Sequence, residues 1–91
     1  VQTIYKYRLE ITDAQRVKMP EDAEILTAQF QGEDLCLWAV VDTDRPIRER
    51  VIEIFGTGNP MWVDMGVHRK FIATAQRPNM PPVWHVFESM L

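Results

Sequence analysis

The stretch Gly56-Thr57-Gly58-Asn59 holds the residue types best suited to gripping a ligand. Successive backbone N–H groups in a glycine-rich turn can converge on a phosphate, and the Thr57 hydroxyl would add a donor. Arg69 and Lys70 would supply charge-assisted contacts to the same anion. Trp62 follows Pro60 and Met61 and offers a surface for stacking on a base or for anchoring a protein partner. His85 completes the candidate ligand-binding set of Gly56, Thr57, Gly58, Asn59, Trp62, Arg69, Lys70 and His85. Each residue also has a plainer reading. The glycines can serve a turn that needs positive φ, Arg69 and Lys70 can be a solvated strand end, and Trp62 can fold back over one end of the fold. The stretch is neither a Walker loop nor a dinucleotide fingerprint, because no helix clearly follows it.

Catalysis has a weaker basis. His85 shares a strand face with Val83 and Phe87, where a histidine is usually a core or rim residue with a satisfied hydrogen bond. A catalytic base needs a nucleophile and an orienting partner, and the sequence pairs neither with it. A hydrolase would have to use Glu88 or Asp64 beside His85. His68 and His85 are the only histidines, and no Cys-x-x-Cys or His-x-x-x-His spacing occurs, so neither a metal site nor a cofactor is expected. The single cysteine, Cys36, cannot form an internal disulfide and reads as an inert buried thiol in a reducing compartment. A net charge of −3 argues against a DNA or RNA polymer as partner. No apolar run approaches the ~20 residues that span a bilayer, and no signal peptide opens the chain. The expected location is the cytoplasm.

The elements that must position these residues are strands. At 91 residues the chain suits one small domain, residues 1–91, with a modest core that oligomerisation would help. Residues 3–11 alternate, with Tyr5, Tyr7, Leu9 and Ile11 on one face. Residues 15–19 form a shorter strand with Val17 and Met19 inward. Residues 24–31 put Leu26, Ala28 and Phe30 on one face, and Gly32 turns the chain. Residues 35–42 are apolar on both faces, as in a covered central strand, with Trp38 read as core. Residues 46–55 can be read as a helix capped by Asp44 or as a strand; the β-branched run Val51 to Phe55 favours the strand. Residues 69–76 put Phe71, Ala73 and Ala75 on one face. The proline-rich stretch 77–82 breaks the ladder before a last strand at 83–88. About seven short strands, with at most one short helix, predict an all-β fold: a small antiparallel barrel or a two-layer sandwich.

Taken together, TIYKY, LCLWAVVD, IEIFGTGNP and WHVFE resemble a family of small uncharacterised proteins found mainly in bacteriophages and prophage regions. The pattern runs from residue 3 to residue 88. The family carries no established chemistry to transfer. What the resemblance implies is a setting: a phage product in the cytoplasm of an infected bacterium. The expected protein is non-enzymatic and homo-oligomeric, and it sequesters a nucleotide-like anionic signal in an anti-defence role. The alternative is an inhibitor that docks on a host enzyme or defence protein through the Trp62 and Met65 loop or an exposed strand edge.

Overall fold

Period-two alternation decides most of the chain. In the computed structural model, which describes residues 1–61 and 68–90, the elements are all strands. They are β1 (Gln2–Arg8), β2 (Ala14–Pro20), β3 (Glu24–Gln31), β4 (Asp34–Asp42), β5 (Ile47–Gly56), β6 (Arg69–Arg77) and β7 (Met80–Ser89). Residues 47–56 are a strand, held on both sides by ladders to β2 and β7. One sheet has the order β1-β4-β3 and the other β2-β5-β7-β6. The two sheets stay separate, so the architecture is a sandwich and not a closed barrel. Every paired neighbour is antiparallel. Among the described residues no helix is long and apolar enough to cross a membrane.

The core lies between the sheets. Val17, Met19, Leu37, Val41, Ile52, Ile54 and Val86 fill it together with four strand alanines, Ala28, Ala39, Ala73 and Ala75. Alanines at facing positions let the layers approach closely, and larger partly buried side chains (Tyr7, Phe30 and Trp84 among them) pack around the rim. Trp38 is not in this core. Strand phase puts it on the outer face of the three-stranded sheet with Cys36, opposite the face of Leu37, Ala39 and Val41.

Two bulges overturn the simple alternation. On β3 the register to β4 shifts between Ile25 and Thr27, so Leu26 is the extra residue and is 45% exposed. Ile25 takes the inward place, in line with Ala28 and Phe30. On β6 the register to β7 shifts between Phe71 and Ala73. Phe71 is thereby turned outward, 56% exposed, while Ala73 and Ala75 stay in the core. An inserted residue reverses which face the following residues occupy, which is why period-two reading fails at both places. The prolines also differ from expectation. Pro81 and Pro82, joined by a cis peptide bond, lie within β7. The β6–β7 register shifts again between Ala75 and Arg77, which accommodates them, and the turn at Pro78-Asn79 takes a positive φ of 56° at Asn79.

Candidate functional site

The glycine turn sits at one end of the β5–β7 pair. Gly56 is opposite Trp84, and a Cβ there would stand 2.8 Å from Asn59 Nδ2 and 3.2 Å from the Trp84 ring. Glycine at 56 is thus a packing requirement; at Gly58 it serves a positive φ of 88°. The Thr57 N–H donates to the Val83 carbonyl and the Asn59 N–H to the Gly56 carbonyl. These two donors are occupied within the fold and do not converge on one point. The Thr57 hydroxyl lies 2.8 Å from His85 Nε2, and the Thr74 hydroxyl lies 3.0 Å from His85 Nδ1. The imidazole is therefore held between two neutral hydroxyls. Glu88 cannot orient it, because adjacent phases of β7 send His85 outward and Glu88 inward.

Arg69 shares the outer face with His85. It donates through Nε to Glu53 at 2.8 Å, and its guanidinium lies 5.4 Å from the Phe55 ring centroid. Phe55, Phe87 and Phe71 form an edge-to-face row across this face, with centroids 5.9 and 5.5 Å apart. A concavity of about 300 Å³ is lined by Asn59, Phe55 and Arg69, and also by the carboxylates of Asp13 and Glu53. Lys70 does not join this group. It is one residue along the strand from Arg69, opposite Glu88, and so belongs to the other face. Trp62, Asp64 and Met65 lie outside the described residues.

The opposite end of β5 and β7 carries a second cluster. Arg50 is in phase with the core residues Ile52 and Ile54, and Glu88 with Val86. The Arg50 fork meets the Glu88 carboxylate through Nε and Nη2, and Nη1 donates to the Ala23 carbonyl at 2.9 Å. The hydrogen bond to Glu88 raises the Arg50 pKa further, against the effect of burial. This pair forms the floor of a cleft of about 270 Å³ between β3 and β6. Its rim holds Lys70, Glu24 and the apolar side chains Leu26 and Phe71 from the two bulges. Strand phase alone could have flagged Arg50 and Glu88, since both are charges at inward positions. The bulges left no comparable signal.

Across the rest of the described surface, cations are largely matched. Arg8, Arg16, Arg45 and Arg77 each face a carboxylate, as Arg50 and Arg69 do. No group of histidine, cysteine and carboxylate side chains among the described residues could hold a metal ion.

Comparison with curated proteins and comparison with solved structures each return no match. A family model does match, over residues 1–90, so the chain belongs to the family described as Domain of unknown function (DUF7352).

Proposed function

We propose that this protein works by binding another protein at the cleft between β3 and β6 and performs no chemistry. The observation that carries this reading is the pair of facing bulges. They hold Leu26 and Phe71 exposed on either side of a cleft whose floor is the Arg50–Glu88 pair. Bulges re-aim side chains and are frequent beside functional sites. Apolar anchors around a polar floor suit a partner that inserts an apolar side chain and hydrogen-bonds beside it. The setting implied by the resemblance, a phage product acting on a host enzyme or defence protein in the cytoplasm, makes that partner a bacterial protein.

Sequestration of a nucleotide-like anion is the second reading, favoured by the stacking of Arg69 on Phe55 near Asn59. The lining weighs against it: Asp13 and Glu53 oppose the one cation, Arg69, and repel an anion. The test is affinity capture from bacterial lysate with three immobilised proteins. The wild type and Thr57→Ala should retain the same partner and Leu26→Asp should lose it, with circular dichroism unchanged throughout. Capture that survives Leu26→Asp overturns the cleft. A stoichiometric nucleotide adduct in native mass spectrometry, weakened by Arg69→Ala, would establish sequestration instead.

A further inference from the structure

We infer that two copies of this chain pair through β1, antiparallel, to make a continuous six-stranded sheet with Tyr5 opposite the partner's Tyr5. The argument begins with the free edge of β1. The Val1 carbonyl accepts from Thr43 N–H, and Leu9 N–H donates to Leu35 O, so odd-numbered residues of β1 face β4. The N–H and C=O groups of Gln2, Ile4, Lys6 and Arg8 therefore point to the open side.

The other edges are guarded. By the same logic, the Asp13–Ile54 and Glu21–Pro46 bonds turn Ala14, Arg16, Lys18 and Pro20 of β2 outward. Two charges and a residue with no N–H protect that edge. The remaining edge strands, β3 and β6, lie against each other at the side of the sandwich. β1 carries two cations at outward positions as well, Lys6 and Arg8, but no proline, so each outward residue keeps its N–H. Its central side chains Ile4 and Tyr5 are 57% and 42% exposed. Its central cation, Lys6, is drawn across the outer face to Gln31, 2.6 Å from the amide oxygen. Tyr5 lies opposite Ala39, on the core side of its sheet, yet remains exposed.

A second copy supplies what this edge lacks. With Tyr5 facing the partner's Tyr5, each open backbone group is answered, making about eight hydrogen bonds. The tyrosines form a close, non-hydrogen-bonded pair. Ile4 packs on the stem of the partner's Lys6. Arg8 faces the partner's uncharged Gln2, so neither end of the seam sets like charges opposite each other.

Sedimentation of the full chain at micromolar concentration should give twice the chain mass; a monomer at 100 µM, on the order of weak transient contacts, overturns the proposal. Ile4→Pro removes an N–H that points away from β4, so the fold should stand while dimerisation weakens at least about tenfold. An undiminished folded dimer would refute the β1 edge. Should Ile4→Pro unfold, cysteine cross-linking decides. In a Cys36→Ser background, Tyr5→Cys should form an intermolecular disulfide on mild oxidation, because directly opposed non-hydrogen-bonded residues meet its distance requirement. Thr3→Cys should not, since it faces the partner's Tyr7. No cross-link at 5, or an equal one at 3, overturns the register.

Discussion

The β5–β7 pair is finished differently at its two ends. At one end the strands close with Gly56, Thr57 and Gly58, and an imidazole bridges two threonine hydroxyls on the outer face. At the other, the inward phase that holds Ile52 and Val86 is continued by Arg50 and Glu88, a charged pair taken into the sandwich. The first end is part-exposed and holds hydroxyls bonded to the imidazole, beside a buried Trp84 Nε1 that has no hydrogen-bond partner among the described residues. The second has 23% and 7% of its side-chain surfaces exposed, so each charge depends on the other and on the Ala23 carbonyl. Composition draws attention to the glycine end, yet much of its character is explained by packing and turn geometry. At the charged end each ion needs its partner, and it is there that the bulges of β3 and β6 open a cleft.

The contrast predicts unequal responses to substitution. Glu88→Ala leaves Arg50 unpaired in a largely buried site and should cost about 3 kcal/mol, the largest effect of any single change at either end. Urea denaturation measures it directly. Replacing both partners, Arg50→Met with Glu88→Leu, should recover most of that loss, because apolar groups of similar volume need no compensation. If the single substitution costs under 1 kcal/mol, the pair is not the anchor of this end and the contrast collapses.

Gly56→Ala comes next. The new methyl group meets the side-chain amide of Asn59, which can swing away, and the packed ring of Trp84, which cannot. The expected cost is about 1–2 kcal/mol, read as a lower thermal midpoint with perturbed tryptophan fluorescence. A neutral effect would mean that Trp84 yields, and the glycine would then have to be explained by something other than packing.

What the sequence shows and what it hides follow from the same physics. Strand existence was legible over most of the chain: alternation from Tyr5 to Leu9 and the continuous apolar run at Leu35–Val41 each name a strand, the β-branched run at Val51–Ile54 favours one over the helix that residues 46–55 also allow, and the prolines hid the start of β7. Which face a residue takes was legible only where the alternation is unbroken. Parity puts Leu26 on one face with Ala28 and Phe30, and Phe71 on one face with Ala73 and Ala75, and one inserted residue in each strand separates them. Nothing in the residue types around Leu26 distinguishes a bulge from a regular ladder, since backbone pairing with β4 decides it. Arg69 and Lys70 are set apart for the converse reason: as strand neighbours they take opposite faces, Arg69 beside Glu53 and Phe55 and Lys70 opposite Glu88. Thr57 and His85 do meet, through the hairpin register that sets Phe55 opposite His85. Thr74, their third member, comes from β6, and its approach depends on the far side of the same sheet.

The smallest effects should come from that trio, and they sharpen the comparison most. A neutral imidazole offers one donor and one acceptor nitrogen, and a threonine hydroxyl can fill either role. Both hydrogen bonds can therefore form at once, with one threonine donating and the other accepting. Thr57→Val and Thr74→Val should each cost about 1 kcal/mol or less, because each ends one neutral bond that water can partly replace. Their double mutant reports whether the trio is a unit. If binding at one ring nitrogen fixes the tautomer for the other, the double substitution should cost less than the two singles together, by about 0.5 kcal/mol. Strict additivity would show that His85 exchanges tautomers freely, so that the two bonds are independent. A coupling of 2 kcal/mol or more would contradict the contrast between the ends, since a neutral, part-exposed cluster cannot store as much as a buried charge pair.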